Sequence, residues 1–218
     1  TLAHELNQPL CALISFANGL LNRLHASTIT LADMEPVVQR MAQLAERAGG
    51  VTQRVNAFAR RREMHLVRLD LTALVQRAVA MAQEGQATPI GLQWPKHAVW
   101  VRGDALLLEH LVHNLCSNAL DWAGEGGAGA TQVQVRLQVD PDAGEARLCV
   151  ADSGPGVPEA ALARLFDAFF STKRGGMGMG LAICRSIAEA HHGRIQVERD
   201  ALLGGALFTA LLPLDNGA

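Results

Sequence analysis

Asn114 and Asn118 stand four residues apart, in a stretch where Leu107, Leu111 and Leu115 repeat at the same interval. On a helix the two carboxamides therefore share one face, which Asp121 extends. A carboxamide oxygen is a hard, neutral ligand suited to magnesium, an ion that takes few protein groups and fills its shell with water and phosphate oxygens. Further on, Asp152-Ser153-Gly154-Pro155-Gly156 follows an apolar, strand-like run at 148–151. A carboxylate thus leaves a sheet into a turn whose glycines, Gly154 and Gly156, permit close backbone approach. Because an ionised carboxylate only accepts hydrogen bonds, it suits the exocyclic amine of adenine and opposes the carbonyl of guanine. A third segment, with Gly176, Gly178 and Gly180, runs into the apolar helical start Leu181-Ala182-Ile183. Free N–H groups and the positive end of a helix dipole favour an anion there, phosphate above all, and Lys173 and Arg174 add charge. Taken singly, each segment has a plainer reading: polar surface for the two asparagines, an Asx turn for 152–156, and a weak signal for a glycine loop that does not follow GxxxxGK[ST]. Between the two glycine segments lie Phe166, Phe169 and Phe170, which can anchor a nucleotide lid or simply pack in a core.

Two kinds of element must position these groups. Leu6, Leu10, Leu13, Ala17, Leu20 and Leu24 alternate four- and three-residue steps, and the rhythm returns at Val37, Met41, Leu44, Ala48, Val51, Val55 and Phe58. This heptad spacing predicts a helix over 2–26 and a second one after a short polar turn. Asp33 is the expected N-cap, with Pro36 in the first turn and Gly49-Gly50 as the weak point. Two such helices cannot bury both seams alone, so a dimer forming a four-helix bundle is expected, with a monomeric hairpin packed on another domain as the alternative. From residue 66 the pattern changes to strands at 98–102, 131–139, 145–151, 194–199 and 206–212, with helices at 72–83, 104–122 and 180–191. Residues 140–144, Asp-Pro-Asp-Ala-Gly, read as a hairpin turn, so the sheet is mixed rather than doubly wound. The linker is expected near 62–68.

Composition narrows the partners. With 218 residues and 49% hydrophobic content the chain can bury two small cores. Nineteen basic residues against twenty-one acidic ones leave a net charge of −2, which argues against a nucleic-acid partner. The four cysteines form no CxxC pair, so neither a zinc site nor a disulfide framework is expected, and a reducing cytoplasmic setting fits. No apolar stretch reaches membrane-spanning length, so no direct membrane contact is expected. The start at Thr1-Leu2-Ala3, already within an apolar helical pattern, suggests a piece of a longer protein whose anchor or sensor lies upstream.

In this order the segments resemble the sensor histidine kinase family over nearly the whole chain. His4-Glu5-Leu6-Asn7-Gln8-Pro9-Leu10 is similar to the family's H box, 114–118 to its N box, 152–156 to its first glycine box, 166–173 to its F box, and 176–180 to its second glycine box. Gly204-Gly205-Ala206-Leu207-Phe208 resembles the last box. The resemblance implies an α+β architecture: a helical hairpin at 1–64 for dimerisation and histidine phosphotransfer, and a Bergerat-type ATP-binding α/β sandwich at 65–218. It implies that His4 attacks the γ-phosphorus of ATP through a neutral ring nitrogen, abundant at neutral pH for a group with an ordinary pKa of about 6.5. Glu5 would take the other ring proton, and Gln8 would orient water for dephosphorylation. Asn118 is implied as the Mg2+ ligand, Asn114 as its phosphate-side companion and Asp152 as the adenine reader. Gly154, Gly156, Lys173, Gly176, Gly178 and Gly180 would line the nucleotide. The implied partners are a second copy, through the hairpin, and a response regulator receiver domain. The chain departs from the family in its short segment between Phe170 and Gly176, which predicts fast nucleotide exchange. Two rival readings stand beside this one. ATPases of the gyrase and chaperone type place a glutamate base four residues before the metal-binding asparagine, where this chain has Asn114, and a nucleotide-sensing scaffold would carry the site without phosphotransfer.

Overall fold

The computed structural model describes residues 2–26, 28–60, 64–125, 131–168, 170–173 and 178–215, and the side chains of these except 2–8, 10 and 46–60. The chain divides into two compact units, one built on Thr1–Glu63 and the other on Met64–Thr172 with Gly178–Ala218.

The first unit is a hairpin of α1 (Leu2–His25) and α2 (Leu31–Arg60). Its seam buries Leu20 and Leu44, both heptad positions. The start of α2 corrects one expectation. Thr30, not Asp33, is the N-cap: its hydroxyl accepts the Asp33 N–H at 3.3 Å, and the Asp33 carboxylate accepts the Thr30 N–H at 3.1 Å and the Thr30 hydroxyl at 2.8 Å. This is a reciprocal capping box with Asp33 three residues into the motif, and the bonds from Thr30 hold its carboxyl below the usual range. Pro36 consequently lies past the first turn rather than in it, and α2 runs through Gly49-Gly50 without a break.

The second unit runs β1 (Val67–Asp70), α3 (Leu71–Gln83), β2 (Ile90–Gln93), β3 (Trp100–Gly103), α4 (Ala105–Ala123), β4 (Val133–Asp140), β5 (Glu145–Asp152), α5 (Glu159–Leu162), α6 (Gly180–Ala190), β6 (Arg194–Arg199) and β7 (Ala206–Pro213). Five strands form one sheet in the order β2-β4-β5-β7-β6. Only β2 and β4 are parallel, so the sheet is mixed. β1 and β3 form a separate antiparallel ribbon. The expected β4–β5 turn is present: Asp140 Oδ1 accepts the Ala143 N–H at 3.0 Å, and Gly144 donates to the Pro141 carbonyl at 3.3 Å. Register across the sheet aligns Val135, Val150 and Phe208 in one row and Leu137, Leu148 and Ala210 in the next. These residues are buried, as are Leu74 and Val75 of α3, Leu111 and Leu115 of α4 and Ile187 of α6. Each large apolar side chain so buried contributes roughly 1.5–3 kcal/mol.

β1 begins inside the stretch expected to be linker and ends on Asp70, whose Oδ1 accepts the Thr72 N–H at 2.9 Å and starts α3 at once. β2 and α5 were not expected. Ile90-Gly91-Leu92-Gln93 follows a proline and lacks a β-branched run, and its pairing with β4 comes from register rather than propensity.

His191 caps the end of α6 as a buried neutral ring. Its Nε2 accepts the Asp104 N–H at 3.0 Å, so the proton sits on Nδ1, 2.8 Å from the Ile187 carbonyl. Burial pushes its pKa down. A protonated ring would set two N–H groups against each other where α6 ends and α4 begins. Among the described residues, no helix is long and apolar enough to cross a membrane.

Candidate functional site

Asp152 is the last residue of β5 and is only 1% exposed. Its Oδ1 accepts the Gly154 N–H at 2.8 Å, closing an Asx turn, and the Ala206 N–H at 3.2 Å from the start of β7. Its Oδ2 has no partner. Among the described residues only Thr72 Oγ1, Asn114 Nδ2 and Asp152 Oδ2 are buried side-chain polar atoms left in this condition. Burial pushes the Asp152 pKa up, the two N–H bonds oppose this, and the charge of Asp200 adds to it. The two sequence readings of this residue therefore fall on different oxygens. One makes the turn, and the other is an acceptor held ready for a donor from outside the protein.

Two glycines allow this arrangement. A Cβ on Gly154 would stand 2.7 Å from the Trp122 carbonyl at the end of α4, and one on Gly205 would stand 2.2 Å from the Asp152 carbonyl and 2.3 Å from its Oδ1. Both contacts are closer than real Cβ atoms come, so the end of α4, the 152–156 turn and the 200–205 loop converge only around bare backbone. Gly156 lies beside the same loop, with Gly205 and Arg199 as neighbours. The role of Gly205 and of the Ala206 amide was not anticipated, although a double glycine entering a strand is the usual mark of a close approach.

Asn114 and Asn118 are half-buried on α4, and Asp121 is exposed. The Asn114 amide adjoins the Cys184 thiol of α6, which burial pushes up to about 12 against the effect of that amide. Cys116 is likewise pushed up to about 12 by burial, so both thiols are inert packing groups.

The helix N-termini differ in a telling way. α3 and α4 are capped by Asp70 and Asp104, each accepting two N–H groups, whereas Met179 at the start of α6 makes no side-chain cap. Gly178 and Gly180 flank this uncapped end, where free N–H groups can take an anion. Lys173 is exposed nearby in sequence. Gly176 lies outside the described residues, and so do the side chains of His4, Glu5 and Gln8 on α1. The fold thus brings Asp152, Gly154 and Gly156 together with the 200–205 loop, and packs α4, with its asparagines, against α6.

Among the described residues no group of three or more His, Cys, Asp and Glu could hold a metal by itself. A half-buried carboxamide such as Asn118 fits an ion whose remaining ligands are phosphate and water, as magnesium's are.

Comparison with known proteins agrees. The family described as histidine kinase-, DNA gyrase B-, and HSP90-like ATPase matches residues 103–216. The C4-dicarboxylate transport sensor protein DctS of Rhodobacter capsulatus is 39% identical over 98% of this chain and 33% of its own length. The sensor protein FixL of Bradyrhizobium diazoefficiens is 34% identical over 97% of this chain and 42% of its own length. The chain thus spans between about a third and two fifths of the length of these relatives. Among solved structures, a mycobacterial sensor histidine kinase, MprB, superposes with a TM-score of 0.59 at 27% identity, covering 68% of this chain and 98% of that one. The histidine kinase ThkA in complex with the response regulator protein TrrA shares the fold, with a TM-score of 0.71 at 19% identity over 98% of this chain and 60% of that one. This chain belongs to the histidine kinase-, DNA gyrase B- and HSP90-like ATPase family, and within it is the catalytic core of a sensor histidine kinase.

Proposed function

We propose that this core transfers the γ-phosphoryl group of ATP to His4 and then to an aspartate of a response regulator receiver domain. The observation that carries the reading is the unpartnered Asp152 Oδ2, buried beside a carboxyl oxygen already committed to two backbone N–H groups. The exocyclic amine of adenine supplies the missing donor. The N–H groups of Gly178 and Gly180, at the uncapped start of α6, take the phosphates together with Lys173 and Gly176, and Gly154 and Gly156 let the base lie against backbone. Asn118 would hold Mg2+, with Asn114 on its phosphate side, and the ion supplies charge compensation on the phosphates when bound.

In the transfer step a neutral ring nitrogen of His4 forms the N–P bond while the bond from the γ-phosphorus to the β,γ-bridging oxygen breaks and ADP leaves. Glu5 accepts the ring proton displaced from His4, and Gln8 would orient water for a separate, hydrolytic dephosphorylation. Asn114 stands where a hydrolysing enzyme needs a base, and an amide cannot take a proton from water. Residues 1–64 act as the phosphoacceptor unit and 65–218 as the ATP-binding unit. The hairpin leaves Ile14, Leu21 and Val38 exposed by 50% or more, which supports a second copy completing a four-helix bundle. A response-regulator partner is supported by the fold shared with ThkA, whose structure is a complex with the response regulator protein TrrA.

Incubation with γ-labelled ATP tests the proposal. Acid-labile label on the protein, absent in His4→Gln and chased onto a receiver domain, is the expected outcome. Free phosphate without protein label would make the chain an ATPase, and neither product would make it a nucleotide-sensing scaffold.

A further inference from the structure

Asp200, just past β6, is 3% exposed although charged. Its Oδ1 accepts the N–H of Leu202 at 3.0 Å and of Leu203 at 2.7 Å, and its Oδ2 accepts Arg136 Nη2 at 2.7 Å. Its backbone N–H donates to the Gly205 carbonyl and its carbonyl accepts the Gly204 N–H, both at 2.9 Å. One residue therefore closes the whole 200–205 loop. Burial opposes its charge, but Arg136 and the two loop N–H groups prevail and hold its pKa below the usual range. Arg136 reaches it from β4 across 64 positions of sequence and also donates to Gln134 Oε1 at 2.9 Å.

The far end of that loop is the part that meets Asp152. Gly205 lies against the Asp152 carbonyl and carboxylate with no room for a Cβ, and Ala206 donates to Oδ1. Without the Ala206 N–H, Oδ1 would keep only the Gly154 bond, and the carboxylate could turn about its terminal torsion, whose energy well is broad. A buried ion pair adds little net stability, since desolvation offsets attraction. What the Arg136–Asp200 pair supplies is a fixed direction for its neighbour's unpartnered oxygen.

We infer that Asp200, held by Arg136, is a positioning residue for purine recognition: it aims Asp152 Oδ2 and thereby sets discrimination between 6-amino and 6-oxo purines, while leaving the hold on phosphate untouched. The inference rests on the reading of Asp152 as the adenine acceptor.

Calorimetric titration of the whole chain with ADP and with GDP separates these contributions. In Asp200→Ala, ADP affinity is expected to fall about tenfold, the worth of one charge-assisted bond made poorly, with GDP affinity unchanged. Asp200→Asn keeps an acceptor for the loop N–H groups but turns its NH2 toward Arg136, donor to donor, so it is expected to recover only part of the ADP-to-GDP ratio that Asp200→Ala loses. If Asp200→Ala does not fold, Arg136→Gln, which leaves Asp200 unpaired, is expected to lower the same ratio. A parallel fall for both nucleotides would reduce Asp200 to a structural residue and overturn the inference, as would an unchanged ratio. Asp152→Asn is the control that tells the two readings apart. If it abolishes the preference while the Asp200 variants keep it, only the inference fails. If it also keeps the preference, the adenine reading of Asp152 fails first.

Discussion

Replacing Asp152 by Asn changes one atom of the side chain and separates its two jobs. The Gly154 and Ala206 N–H groups, at 2.8 and 3.2 Å, demand an acceptor, so the amide must turn its oxygen toward them and keep the Asx turn. That orientation puts NH2 where Oδ2 was, facing the adenine amine donor to donor. The loss is one charge-assisted hydrogen bond, about 2–3 kcal/mol, or roughly 30- to 150-fold in Kd for ADP. GDP, whose 6-carbonyl can accept from the new amide, is expected to bind better than it does to the parent.

Stability moves the other way. Because burial raises the folded pKa of Asp152, the folded chain binds a proton more tightly than the unfolded chain, and stability falls as pH rises from 3.8 through the raised value. Above that window the ionised carboxylate is a cost that the amide lacks. The ligand-free variant is therefore expected to melt no lower than the parent at pH 7. Titration calorimetry with both nucleotides and thermal melting decide the matter. An Asp152→Asn chain that binds ADP as tightly as the parent with the same preference over GDP, or that has lost its fold, would refute this account of the two oxygens.

Other outcomes follow from the same geometry. Gly205→Ala forces a Cβ to within 2.2 Å of the Asp152 carbonyl, so a loss of about 1–3 kcal/mol in urea unfolding and a fall in ADP affinity are expected, and unchanged values would exclude the close approach. His191 is held neutral by burial, so stability is expected to decline as pH drops below about 6.5, by at most about 1.4 kcal/mol per unit, because the unfolded imidazole takes the proton that the folded one refuses. Urea midpoints between pH 5 and 7 check this, on an Asp152→Asn background to remove the opposing slope, and His191→Gln should reduce the dependence to the part left by His110, whose pKa burial also lowers. Chelation with EDTA is expected to abolish labelling from ATP and added magnesium to restore it, with Asn118→Ala needing more magnesium for half-maximal label. Thr30→Ala removes the hydroxyl of the capping box and is expected to cost about 1 kcal/mol of hairpin stability, read from the helical circular dichroism signal during melting.

Where one period dominates a segment, its local physics is enough to name it. The leucines of α4 and the alternation of β4 and β5 each select one element, and Asp140-Pro141-Asp142-Ala143-Gly144 has the chemistry of the turn it forms. Legibility ends where two groups compete or where a partner is distant in the chain. Thr30 and Asp33 are both able to cap, and only their reciprocal geometry decides which one does. β2 has weak propensity and exists because β4, more than forty residues later, gives it a ladder. Asp152 looked like a choice between a turn former and a ligand acceptor, a choice that disappears once its two oxygens are counted separately. Asp200 belongs to none of the motifs, because a motif records what lies near in sequence and this carboxylate acts through an arginine on β4 and a loop that ends at Asp152. A recognition group buried at the end of a strand needs its direction fixed from at least two sides. The Asx turn supplies one side from the next two residues, and the second has to come from another strand, so part of any such site must lie beyond what local spacing can reveal.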